Sequence, residues 1–431
     1  MKLPAVIKRM FKRNYEAASG GPRWPAWHTM HAPAAQTLAA AHLTGSRAAF
    51  AVANSPIAAS IAMVYVDALL PDAPAVQFKN GNDTAAETWF SANLAALRLL
   101  VRCQFQLGEG LARMTVDRNG DLRLTVLNPE QLDRTINVDL PSGGRVIAGV
   151  EEDARGEIVA YHILPDAPDQ AFATIAPARR IPAEDVIHYF EQKVPGQRRG
   201  ISELAPVLTR IAEAHKLSDA RLARASVAAL FGGFIQDASG TAFGDATATP
   251  PTADLSLEPG ALRVLPVGTT ISFPTMPDEG NASELMKEML HEICAGVGMP
   301  YALVTGNLTD TNYSSGKMGM ESFKRRIKAQ RASLLVPLVF EPLHRRFSLL
   351  RVLNGLSSSF GEASYLLPDF ASLDPKKETE ADVLAINSGL RSRAEVIAAR
   401  GRNVADVDAE LSSDTFVPKA LPSPTQETNN A

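Results

Sequence analysis

Asp310-Thr-Asn-Tyr-Ser-Ser-Gly-Lys-Met-Gly-Met-Glu-Ser-Phe-Lys-Arg-Arg-Ile-Lys-Ala-Gln-Arg331 is the stretch from which the rest of the chain is read. It opens as a polar turn, because Asn307, Asp310, Asn312, Ser314, Ser315 and Gly316 all favour local bends. The spacing then predicts a helix. Phe323, Ile327 and Leu334 form an apolar stripe, and Lys324, Lys328 and Arg331 form a basic one at i, i+4 and i+7. Between Lys317 and Arg331 six residues are Lys or Arg and one, Glu321, is acidic. A bendable loop feeding a positive helix suits contact with a polyanion better than enclosure of a small substrate.

Two chemistries fail here on missing residues. A phosphate-cradling loop around Ser315-Gly316-Lys317 needs Gly where the chain has Thr311, and Ser or Thr where it has Met318. Ser314-x-x-Lys317 fits the nucleophile motif of serine β-lactamases, but the companion Lys-Thr-Gly and Ser-Asp-Asn elements are absent from the sequence. A hydrolase built on His188, Asp185 and Ser202 is the enzymatic alternative. Against it, Ala183-Glu184-Asp185 reads as a turn before a strand, and His188 falls in an alternating, half-buried pattern.

The sequence of 431 residues, 45% apolar and 21% charged, describes a folded protein of several domains with a buried core. A net charge of −4 excludes the global basic signature of a nucleic-acid binder, so any such contact is local or weak. Two cysteines, Cys103 and Cys294, suit a reducing compartment, not a disulfide scaffold. The apolar region from Phe50 to Leu70 is broken at Asn54-Ser55-Pro56 and carries Asp67, which predicts a buried helix and no membrane span.

In chain order, residues 1–35 read as an extended arm with Trp24 and Trp27, and His28 and His31 lack a third metal ligand. Two helices meet at Asn54-Ser55-Pro56 and another covers 84–106. The period then becomes two: Leu111 to Leu127 alternates around Asn119-Gly120, and Val146–Val150 and Glu157–Leu164 flank Asp153-Ala-Arg-Gly156. With Ile181–Phe190 these strands predict a barrel or sandwich of roughly 80 residues. A helical pattern runs from Ile201 to Leu230, and 236–260 is a Gly-, Ala-, Thr- and Pro-rich excursion before short strands over Leu262–Phe273. Ser283 is placed to cap a helix in which His291 and Cys294 share a face, read as packing without a carboxylate to orient the imidazole. Pro337 and Pro342 mark kinks or breaks in the long helix after Lys317, and helices start at Asp374-Pro375 and Ser392, the latter stopped by Gly401. Residues 412–431 have the composition of a disordered tail.

The order of these pieces resembles the lambda-type portal proteins of tailed bacteriophages. The residues that carry the resemblance are Arg13-Asn-Tyr-Glu-Ala-Ala18 with Arg23-Trp24, Ser46-Arg47-Ala-Ala-Phe50, Asn54-Ser-Pro56 and Leu127-Asn-Pro-Glu-Gln-Leu132. Gly149-Val-Glu-Glu-Asp153 with Gly156 and Ala160-Tyr161, then Ile181-Pro-Ala-Glu-Asp-Val-Ile-His188, continue the series. Pro195-Gly-Gln-Arg-Arg-Gly-Ile201 and Asn312-Tyr-Ser-Ser-Gly-Lys317 are its most specific members. The region before Gln77 lacks the Val-Gly-x-Gly step of many relatives.

The resemblance implies an α+β portal fold, predominantly helical, with a small β-rich wing and a clip excursion between two stem helices. Its expected map is an N-terminal arm (1–35), a wing (36–200), stem helices (201–230 and 281–300) around a clip (231–280), a tunnel loop (301–316), a kinked wing helix and return (317–373), a crown (374–411) and a tail (412–431). It implies a homo-oligomeric ring, a dodecamer, at the portal vertex of the virion, assembled in the host cytoplasm. Double-stranded DNA would pass transiently and without sequence preference, touching Asn312, Tyr313, Ser314, Ser315, Lys317, Lys324, Lys328 and Arg331. Terminase large subunit, head-tail adaptor, major capsid protein and scaffold are the implied partners. Neither cofactor nor catalytic residue is expected.

Overall fold

The computed structural model describes residues 32–78, 81–168, 170–172, 176–230, 234–237, 269–272, 282–309, 313–356, 363–370 and 374–414. The arm with Trp24, Trp27, His28 and His31, most of the clip, and tail positions 415–431 lie outside the described residues. The chain divides into two compact units, Met1–Phe50 with Ala62–Ala205 and Lys317–Ala431, and Ala51–Ile61 with Pro206–Gly316. Helices and small antiparallel sheets make up both, which is the α+β class read above.

The break at Asn54-Ser55-Pro56 is where it was expected: helices Pro33–Asn54 and Pro56–Leu69 meet there. Pro56 sits at the first helical position, where a missing backbone N–H costs nothing. The single helix expected over 84–106 is instead two, Thr84–Ala92 and Leu94–Leu107. Asn93 ends the first by donating its amide Nδ2 to the Trp89 carbonyl, 2.8 Å away. Leu94–Leu107 then buries Leu97, Leu100, Val101, Gln104 and Phe105 along one face. No single helix among the described residues is long and apolar enough to cross a membrane.

The β-rich region is two sheets on one core. Strands Gly110–Val116 and Leu122–Leu127 form the hairpin read from Asn119-Gly120, with Gly120 at φ 85°, and Val186–Tyr189 joins the other edge of the first strand. Five further strands run in sequence order from Val138–Asp139 to Arg179–Pro182. Leu111 and Val186 from the first sheet and Val150, Tyr161, Ile163 and Ile181 from the second share one buried cluster, so the arrangement is a sandwich, not a closed barrel. Val146–Val150 is not the single strand expected. Ala148 (φ 47°) and Gly149 (φ 83°) turn the chain between Arg145–Ile147 and Val150–Glu152.

In the second unit, helices Leu208–Leu230 and Ala282–Val297 pack together. An added Cβ at Gly296 would lie 2.3 Å from Val207 Cγ1, so glycine sets the closeness of that approach. The first of these helices starts at Leu208 and not at Ile201, and the second begins at Ala282, one residue before Ser283. Strands Phe234–Asp237 and Thr269–Ser272 pair antiparallel between them in sequence.

Candidate functional site

The basic helix runs Tyr313–Gln330, continues as a π-helical segment Arg331–Phe340 around Pro337, and resumes as an α-helix over Glu341–Leu353 with Pro342 in its first turn. A π segment widens the helical turn and accommodates the missing proline N–H without ending the helix. Asn312 lies outside the described residues, while the backbone of Tyr313, Ser314, Ser315 and Gly316 is already helical. The helix therefore begins at Tyr313, four residues before Lys317, where the composition would start it.

The six cations of this segment separate into two classes. Arg331 is buried, and its guanidinium donates to the carbonyls of Leu69 (3.0 Å), Ala68 (2.8 Å) and Pro368 (2.9 Å). Burial lowers its pKa, with Asp369 opposing the shift. Lys328 Nζ donates to Asp369 Oδ2 at 2.7 Å. Lys324 keeps 19% of its side chain exposed, 3.6 Å from Glu321 and over the Phe370 ring. Arg326 is half-buried and lies close enough to influence the Tyr65 hydroxyl. Only Lys317 and Arg325 are exposed without an ion pair among the described residues. The three residues expected as one basic stripe differ: Arg331 is buried against 68–69 and 368, Lys324 is largely covered, and Lys328 stays exposed but is paired to Asp369. Arg325, which the spacing argument passed over, points outward instead.

A second constellation is wholly internal. Glu109 immediately precedes strand Gly110–Val116, is 1% exposed, and receives the Arg199 guanidinium: Nε donates to Oε1 at 2.8 Å and to Oε2 at 3.0 Å, and Nη2 to Oε1 at 2.5 Å. The remaining Arg199 donors reach the carbonyls of Leu132 (3.1 Å), Ala148 (3.1 Å) and Pro129 (3.0 Å). His188 Nε2 donates to Glu109 Oε2 at 2.9 Å, and the Gly200 N–H donates to the same oxygen at 3.1 Å. Burial alone would raise the Glu109 carboxyl, but Arg199 and His188 overcome it and hold the group well below the usual carboxylate range. The loop is shaped to reach this point. Gln197 Oε1 accepts from the backbone N–H groups of Lys193 and Val194, and its Nε2 donates to the Arg199 carbonyl. A Cβ at Gly200 would sit 2.0 Å from the Gly108 carbonyl oxygen.

Four of the stretches that carry the family resemblance meet at this clamp. Pro129 and Leu132 come from Leu127–Leu132, Gly149 follows the Ala148 acceptor, His188 ends Ile181–His188, and Arg199 with Gly200 comes from Pro195–Ile201. Glu109 was missed because nothing around it repeats. The signal available was an acid between Gly108 and Gly110, where small neighbours let another segment approach.

The hydrolase constellation is not assembled. Asp185 accepts from Arg346 Nη2 at 2.8 Å, His188 binds Glu109, and Ser202 Oγ donates to the Phe105 carbonyl at 3.4 Å. In the other unit, the His291 ring stacks on Tyr301 with centroids 4.2 Å apart, and burial pushes the Cys294 thiol up to about 11. A thiol so shifted is not a thiolate nucleophile at neutral pH.

A family model described as phage portal protein, lambda family, matches residues 94–331. A curated protein named probable portal protein, from Halomonas phage phiHAP-1, is 24% identical over 324 residues, 70% of this chain and 61% of that protein. The chain thus spans about three fifths of the length of that relative. Among solved structures, the neck of an empty GTA particle computed with C6 symmetry aligns at a TM-score of 0.48 and 16% identity, over 88% of this chain and 95% of that one. The neck of a native GTA particle computed with C12 symmetry aligns at 0.46 and 15%, over 90% and 96%.

Proposed function

The chain belongs to the lambda family of phage portal proteins, and from that membership we propose that it closes into a ring, a dodecamer, around a channel for double-stranded DNA. The observation that carries the reading is the family match over 94–331, a span that includes the internal clamp, the paired helices of the second unit and the basic helix. In this reading the role is structural, not enzymatic, and the ring occupies the portal vertex of the virion.

Residues 36–200 act as the wing and 374–411 as the crown. Helices Leu208–Leu230 and Ala282–Val297 act as the stem, with the clip between them receiving the terminase large subunit and later the head-tail adaptor. Major capsid protein and scaffold surround the ring during assembly. DNA contact is assigned to Asn312, Tyr313, Ser314, Ser315 and Lys317, joined by Arg325. Lys324, Lys328 and Arg331 support the helix behind them. A conduit for a whole genome is served by few free cations, since each retained phosphate contact adds affinity and drag.

Native mass spectrometry and negative-stain microscopy of the purified protein test the reading. Closed rings of many copies are expected. A protein that stays strictly monomeric at micromolar concentration, with no ring on addition of capsid components, would overturn it.

A further inference from the structure

We draw no further inference here: the strongest candidate, an apolar groove of about 300 Å³ in the second unit lined by Ile57, Ile211, Ala214, Met286, Leu290 and Ile293, carries none because nothing in the structure shows what covers it.

Discussion

Replacing Arg199 by Met is the sharpest perturbation available, because one guanidinium ties Glu109, Pro129, Leu132 and Ala148 together inside the sandwich. Methionine fills much of the volume but leaves a carboxylate, itself 1% exposed, without its principal counter-charge. Removing one partner of a buried pair costs about 3–5 kcal/mol. The Leu132 and Ala148 carbonyls also lose their Arg199 donor, while that of Pro129 keeps the Leu132 N–H, which places the expected loss toward the upper end of that range. Read by amide hydrogen exchange in strands Gly110–Val116 and Val186–Tyr189, it corresponds to exchange faster by about two to four orders of magnitude. The double variant R199M/E109Q removes the uncompensated charge, and its loss is expected to be roughly half that of R199M alone. Exchange that quickens by less than about tenfold in R199M, or single-variant losses that simply add in the double variant, would refute the clamp as the element that holds the two sheets together.

The same group fixes a pH dependence. Because the folded Glu109 carboxyl lies below its unfolded value of about 4.3, its stabilisation is fully present above that value and is lost as pH falls toward the depressed one. Glu109→Gln should therefore flatten the acid limb of a pH–melting curve below about pH 4, while an unchanged limb would assign it to other carboxylates. Gly200→Ala meets backbone at 2.0 Å and should cost more than the ~1–3 kcal/mol of ordinary overpacking, read as lower soluble yield and faster limited proteolysis. Normal yield would show that the crossing can relax. Lys317→Ala with Arg325→Ala should leave the melting temperature and rings unaltered but reduce the salt slope of DNA binding, by about 0.9 for each phosphate that is no longer neutralised. Arg331→Met should instead destabilise by about 1–3 kcal/mol, since three buried carbonyls are deprived of their donor. The opposite pattern would return the DNA-facing role to the inner face.

Features decided within a few residues were legible in the sequence, and features decided by distant partners were not. Asp374 caps its helix by accepting from the Lys377 N–H, Ser392 forms a capping box with Glu395, and Gly401 stops the helix at φ 75°. Each is a local hydrogen-bond or dihedral requirement that one residue type satisfies. Ile201–Val207 shows the contrary case. Its apolar spacing fits a helix, yet the Glu203 carboxylate accepts from Lys193 Nζ (2.8 Å) and Gln104 Nε2 (3.2 Å), and its N–H donates to the Phe105 carbonyl. Those three bonds hold the stretch in turns until Pro206, at a position no periodicity could reveal. The turn at Ala148-Gly149 is similar: the Asn137 side chain accepts from the Ala148 N–H and Arg199 donates to its carbonyl, which stabilises a left-handed alanine.

The basic helix joins both lessons. Its period correctly gave an apolar stripe, since Phe323 and Ile327 are 2% and 1% exposed. A stripe at i, i+4 and i+7 through Lys324, Lys328 and Arg331 runs alongside that apolar face on the same helix, so burial of one carries the other partly inward. The charged groups find partners there: the Lys324 ammonium and the Arg331 guanidinium lie over the Phe370 ring, Lys328 ends at the Asp369 carboxylate, and Arg331 at backbone carbonyls. What a composition count reads as six cations for a polyanion is then two, Lys317 and Arg325, that are exposed without an ion pair among the described residues, with Lys328 exposed but paired to Asp369. If the chain forms the proposed DNA conduit, internal neutralisation of the rest would favour passage over binding: every phosphate not held is a counterion not released, and DNA affinity is expected to stay weak at physiological salt.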